Sequence, residues 1–244
     1  MGTYRLEHPQ HPIVRVGSDL VYFDTGSPVS IVPAETTHVF SALGVAPPSM
    51  IGIMAPAFQQ TWDTVNHLTG KALDGLIGMD VISQTGLLYD RQGGRLAWGE
   101  AAVADTDSIE LESTTAQGLP VVTMEIAGRR MRVIADTGCH EDGYLLDLPS
   151  TLPEAGRIRD ANPIIGKFEV RARLARAQLV AANGSIIDLG ERRFGEAPPL
   201  VAMTLRAVGV EGVVGAAVFN SGAWFIPGAD DANASFRFLT SGIP

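Results

Sequence analysis

Apolar and polar positions alternate over short stretches along this chain, and each stretch is bounded by a turn signal. Pro120 to Val133, PVVTMEIAGRRMRV, predicts a hairpin with an apolar strand, a turn at Ala127-Gly128 and a return strand leading to Asp136. Ile13 to Phe23 predicts the same device around Gly17-Ser18, ahead of Asp24. Leu87 to Trp98 predicts a third hairpin around Gly93-Gly94, and Asn183-Gly184 a turn between Val180 and Ile187. Arg171 to Arg176, RARLAR, alternates charge with apolar residues as a strand with one solvated face does. Helical expectations are confined to short segments at Asp80–Gln84 and Ala216–Asn220. The expected class is all-β with little helix.

Composition agrees. Of 244 residues, 45% are hydrophobic and 18% charged, enough for one large core or two modest ones, while 27 Gly and 15 Pro against 7% aromatics point to many turns. There is no 18-residue apolar run and no apolar core in Met1–Gln10, so neither a membrane span nor a secretory leader is expected, and the reading is a soluble cytoplasmic protein. The single cysteine, Cys139, cannot form an internal disulfide, in keeping with a reducing compartment. Five scattered histidines lack metal-ligand spacing, and a net charge of −9 disfavours nucleic acid as a partner. Residues 1–100, 101–112 and 113–244 carry net −4, −4 and −1. The dense acidic stretch 101–112 therefore predicts a linker between two halves.

The halves repeat each other. Val21-Tyr22-Phe23-Asp24-Thr25-Gly26-Ser27 and Val133-Ile134-Ala135-Asp136-Thr137-Gly138-Cys139 are apolar strands ending in Asp-Thr-Gly, 112 residues apart. A shuffled chain of this composition holds ~0.1 copies of that tripeptide. Further along each half, Leu76-Ile77-Gly78 and Val213-Val214-Gly215 pair two apolar residues with a glycine, in the same order.

These motifs resemble those of the aspartic peptidases, both pepsin-type and retroviral-type. The resemblance spans nearly the whole chain and implies an all-β, bilobal fold: two pseudo-twofold-related β-barrel lobes, 1–100 and 113–244, with a cleft between them. It implies Asp24 and Asp136 as the catalytic pair, Thr25 and Thr137 locking the two loops together, and the apolar-apolar-glycine segments packing against them. Gly26, Ser27, Gly138 and Cys139 complete the loops that support the dyad. Glycine-bearing flaps are expected at Ile51, Gly52, Ile53 and Met54 and at Ile164, Ile165 and Gly166. Two carboxylates about 3 Å apart cannot both ionise, so the pair serves as base and acid at once. The ionised member takes a proton from water while the neutral member polarises the substrate carbonyl. No metal and no cofactor is needed.

Ser27 can donate to its neighbouring carboxylate better than Cys139 can, so Asp24 is expected to be the more readily ionised and Asp136 the proton holder. The expected activity is endopeptidase hydrolysis by a monomer, with a peptide or small molecule in the cleft and no nucleic-acid or membrane partner. Two other readings stay open: another acid–base reaction on the same dyad, such as cyclisation or isomerisation of a biosynthetic intermediate, and a pseudo-peptidase that only binds. Trp62, Trp98 and Trp224 read as core, with Trp62 nearest the first flap.

Overall fold

The computed structural model describes residues 2–8, 11–48, 56–99, 108–162, 165–215, 218, 220, 222–228 and 235–239. The first half contains β1 (Gly2–Arg5), β2 (Ile13–Val16), β3 (Asp19–Phe23), a 3₁₀ turn at Ala34–Thr36, α1 (His38–Leu43), α2 (Pro56–Thr69), β4 (Gly75–Ile77), α3 (Met79–Thr85), β5 (Leu87–Asp90) and β6 (Arg95–Trp98). The second contains β7 (Ser108–Glu110), β8 (Ser113–Ala116), β9 (Leu119–Ile126), β10 (Arg129–Asp136), β11 (Gly143–Leu145), β12 (Glu154–Asn162), β13 (Gly166–Val180), β14 (Ile186–Glu196), α4 (Pro199–Val208), β15 (Gly212–Gly215), β16 (Ala223–Ile226) and β17 (Arg237–Leu239).

The chain is mostly β, in three sheets. One is three-stranded, β2-β3-β4; one is eight-stranded, β12-β13-β14-β11-β15-β10-β9-β8, and folds back on itself because β13 also pairs with β9. The third, β1-β6-β5-β16-β17-β7, takes strands from both halves, with Trp224 opposite Tyr89 across the β5/β16 seam. Of the acidic stretch, residues 101–107 lie outside the described residues; Ser108–Glu110 form the edge strand β7 of this shared sheet, and Leu111 is buried.

The expected hairpins form where turn chemistry and alternation coincide. Ile126 pairs with Arg129 around Ala127-Gly128, Val16 with Asp19 around Gly17-Ser18, and Asp90 with Arg95 around the Gly93-Gly94 turn. Asn183 Oδ1 accepts the Ser185 amide and closes the turn between β13 and β14. Helix exceeds the expectation. The segment Asp80–Gln84 lies within α3, and Ala216–Asn220 falls largely outside the described residues, but α1, α2 and α4 are additional. The two longer ones, α2 and α4, carry helical signals that a period-2 reading overlooks. In α2, Trp62, Val65 and Leu68 recur at three-residue steps; α4 starts on Pro199 and stops at Gly209 in the left-handed conformation. Trp62 is buried with Ile13, Leu20, Tyr22, Ile31, Val65, Leu73 and Leu76, as core rather than at a cavity. Trp98 and Trp224 are core as well.

Candidate active site

Two strand pairs of the same design carry the repeated loops. Strands β3 and β4 run parallel with Tyr22 beside Leu76 and Phe23 beside Ile77; β10 and β15 run parallel with Ile134 beside Val213 and Ala135 beside Val214. The sequence repeat is thus a repeat in register. Each motif glycine fills the space under its loop. A Cβ on Gly78 would stand 2.8 Å from Ser27 O and 2.5 Å from Val29 O, and one on Gly215 would stand 2.3 Å from Cys139 O and 2.0 Å from Glu141 O. These carbonyls lie three and five residues past each aspartate, so the apolar-apolar-glycine segments pack against the loops in matching fashion.

Two buried threonines join the loops. The Thr25 amide donates to Thr137 Oγ1 at 3.1 Å and the Thr137 amide to Thr25 Oγ1 at 2.9 Å. The Thr25 hydroxyl then donates to Ala135 O at 2.7 Å, and that of Thr137 to Phe23 O at 2.9 Å. Each threonine hydroxyl both accepts from and donates to the backbone of the opposite strand end, so the lattice is its own image under a twofold rotation.

This lattice brings Asp24 and Asp136 into contact. Gly26 N donates to Asp24 Oδ1 at 2.9 Å and Gly138 N to Asp136 Oδ1 at 2.7 Å. The two glycines also make room for the opposite carboxyl: a Cβ on Gly26 would stand 2.3 Å from Asp136 Cγ, and one on Gly138 2.6 Å from Asp24 Oδ1. Burial, the Asp136 charge and a hydrogen bond between the carboxyls push Asp24 well above the ordinary carboxylate range. Burial also raises Asp136, but the Gly138 amide, the hydrogen bond from Asp24 and the Cys139 amide oppose it. Both buried carboxyls are raised, so they hold one proton as a unit. The Ser27 hydroxyl, on which the expectation of a more readily ionised Asp24 rested, turns away and donates to Val29 O at 2.7 Å, and each aspartate is instead favoured in its ionised form by the backbone N–H of the residue three positions on, Ser27 for Asp24 and Cys139 for Asp136. Burial and the Asp136 charge push the Cys139 thiol up, so it stays a protonated packing group rather than a nucleophile.

The dyad lies in a cavity of about 320 Å³. Val65 and Leu68 of α2 and Ile31 and Leu76 form apolar wall; Tyr22, His11, His140, Tyr144 and Asp160 are polar lining that the sequence reading does not single out. Tyr22 lies two residues before Asp24, near the end of the strand that leads into it, so period-2 geometry was a usable signal for it. Its hydroxyl donates to Gly138 O at 3.1 Å, a strut from the first half to the second loop, and lies 3.4 Å from His11 Nδ1. Burial, with smaller contributions from His8, His140 and Arg91, lowers His11 to about 3, so the ring beside Tyr22 is neutral.

No family model matches this chain, and no curated protein does. A solved structure, the basic 7S globulin from soybean, aligns over 64% of this chain and 50% of its own, at 15% identity and a TM-score of 0.37. The alignment thus spans half the length of that protein, and a likeness this loose bears on neither fold nor chemistry.

Among the sequence-predicted residues, Asp24, Gly26, Ser27, Asp136, Gly138 and Cys139 all line the one cavity, with Thr25 and Thr137 beneath it. The first flap, Ile51, Gly52, Ile53 and Met54, lies outside the described residues, as does Ile164. Ile165 and Gly166 sit at the turn between β12 and β13. That hairpin reaches the cavity through its stem, by Asp160 and Phe168, which face each other across the two strands.

Proposed function

We propose that this protein is an aspartic-type endopeptidase, with its halves arranged as two pseudo-twofold-related β lobes and the dyad in the cleft between them. The observation that carries the reading is the reciprocal threonine lattice that holds two hydrogen-bonded carboxyls at the floor of a cavity. A water between the carboxyls loses a proton to Asp136 as its oxygen attacks the scissile carbonyl carbon, while Asp24 passes its proton to the carbonyl oxygen. The resulting gem-diol collapses: the C–N bond breaks, the nitrogen takes the proton from Asp136, and a diol hydroxyl returns its proton to Asp24. Atoms and charge balance with water as the sole co-reactant. Glycine amides at Gly26 and Gly138 hold the carboxyls in place throughout, which saves reorganisation at the moment of reaction.

The cavity volume favours a second reading. About 320 Å³ lies at the low end of the roughly 300–1,000 Å³ of ligand pockets, which suits a compact substrate undergoing another acid–base reaction on the same dyad. Incubation with an unbiased peptide library at pH 3 to 8, read by mass spectrometry, separates the two. The peptidase reading expects discrete cuts that vanish in Asp24→Asn and in Asp136→Asn; no cut by the wild type at any pH refutes it. A pseudo-peptidase would instead retain ligand binding in both variants with no turnover in the wild type.

A further inference from the structure

We infer that Asp160, with the rings of Tyr144 and Phe168, forms a subsite for a positively charged group, an ammonium or a guanidinium, on the substrate held at the dyad. This inference rests on the reading of Asp24 and Asp136 as the acid–base pair.

The subsite is built by two elements of the second half. Strand β11 places Tyr144 opposite Val213 of β15, the strand next to the one that ends in Asp136. The β12–β13 hairpin brings Asp160 and Phe168 to the same place as cross-strand partners. The Tyr144 hydroxyl donates to Asp160 Oδ2 at 2.5 Å, and the Tyr144 and Phe168 rings meet edge to face with centroids 5.5 Å apart. The Asp160 side chain is 8% exposed, yet it lines the cavity together with Asp24 and Asp136. A carboxylate beside two aromatic rings is the combination that attracts organic cations, by charge and by the π systems.

The surrounding charges point the same way. Among the described residues that line the cavity, the acids are Asp24, Asp136 and Asp160, the bases are His11 and His140, and there is no lysine or arginine. His140 Nδ1 stands 3.8 Å from Asp160 Oδ1, and its Nε2 stands 3.7 Å from Glu141. Arg159, next to Asp160, is directed to Glu169 at 3.0 Å. An apolar substrate group at this point would strip water from the carboxylate and return nothing, and an anionic one would be repelled. A cation replaces the lost hydration with a charge-assisted hydrogen bond. A neighbouring cavity of about 590 Å³ shares Asp160 and Phe168 but is also lined by Arg159, Lys167 and Glu169, so the cation is held at Asp160 rather than passing outward beyond it.

The test pairs substrates that differ in charge alone. Peptides cut by the wild type are remade with lysine or arginine, or with the neutral isosteres norleucine or citrulline, at each position flanking the cut. The expected result is at least tenfold higher kcat/KM for the charged member at one position, carried mainly by KM, and collapse of that ratio to near one in Asp160→Asn and in Asp160→Ser. Equal rates for charged and neutral peptides at every position in the wild type overturn the inference, as does a ratio that survives in a folded Asp160 variant. A second arm needs no turnover: n-butylammonium and n-butylguanidinium are titrated into the wild type and into Asp160→Asn, with n-pentanol as the neutral control, and followed by amide NMR shifts. Saturable shifts at Tyr144 and Asp160, absent with pentanol and weakened at least fivefold in the variant, support the subsite; no cation-specific shift in the wild type overturns it. Failure of the endopeptidase reading alone leaves the second arm positive with no peptide cut.

Discussion

Replacing Thr137 by valine keeps the shape of the side chain and removes its oxygen, which isolates what the threonine lattice contributes. The hydroxyl oxygen accepts the Thr25 amide at 3.1 Å and donates to Phe23 O at 2.9 Å, and both Thr25 and Phe23 are fully buried. Water cannot replace the lost partner at either group. Stranding a buried donor or acceptor costs about 1–3 kcal/mol, so Thr137→Val is expected to lose roughly 2–5 kcal/mol of unfolding free energy. By the twofold relation, Thr25→Val strands the Thr137 amide and removes a donor from Ala135 O, and its loss should match within about 1 kcal/mol. Only the 3.4 Å contact between the two hydroxyls is common to both variants. The double variant should therefore fall short of the sum of the singles by about 1 kcal/mol or less. Urea unfolding followed by tryptophan fluorescence measures all three, with the slope checked for constancy. A loss below about 1 kcal/mol in either single variant, or singles that differ by more than about 2 kcal/mol, would refute the claim that this lattice is symmetric and structurally decisive.

Two further outcomes follow from the site. Gly26→Ala and Gly138→Ala each put a methyl within 2.3–2.6 Å of the opposing carboxyl, so each should cost at least about a hundredfold in turnover by parting the acids; activity within threefold of wild type in either would contradict the cross-loop packing. His11 titrates at about 3 in the folded chain against 6.5 for the free side chain, so the unfolded chain binds an extra proton between those values. This group's contribution to stability therefore falls as pH drops through that window, by at most about 1.4 kcal/mol per pH unit. The raised Asp24 acts with the opposite sign, stabilising the fold toward acid, so the two must be separated by substitution. Urea midpoints from pH 6.5 to 3.5 should decline less steeply in His11→Gln than in the wild type, and parallel slopes would show that the ring is not held neutral.

The legible parts of the sequence were those in which local chemistry and a repeat agreed. Asp24 and Asp136 each end an apolar strand, each precedes Thr-Gly, and each is followed by a distant glycine that turned out to sit beneath its loop. The hairpins at Ala127-Gly128 and Gly17-Ser18 needed only a turn signal between alternating strands. Asp160 had no such local mark. In Arg-Ile-Arg-Asp-Ala-Asn it reads as a solvated acid in a charged strand, and only the register that sets it opposite Phe168, with Tyr144 arriving from another strand, makes it part of a cavity. The premise of the proton assignment was not met for a related reason: a serine hydroxyl is free to choose its acceptor, and Ser27 chose Val29 O.

The sheet that interleaves both halves also constrains how such a molecule can be divided. β5 finds its outer neighbour only in β16, and Leu88 and Ala97 are buried with Ala223, Phe225 and Leu239 from beyond the junction. Severed at the acidic stretch, the amino-terminal fragment would present a raw β edge and half of an apolar seam, and would find a second copy of itself or precipitate. The seam thus makes each half an obligate complement of the other, as subunits of a dimer would be, with the peptide connection serving to keep their stoichiometry at one to one.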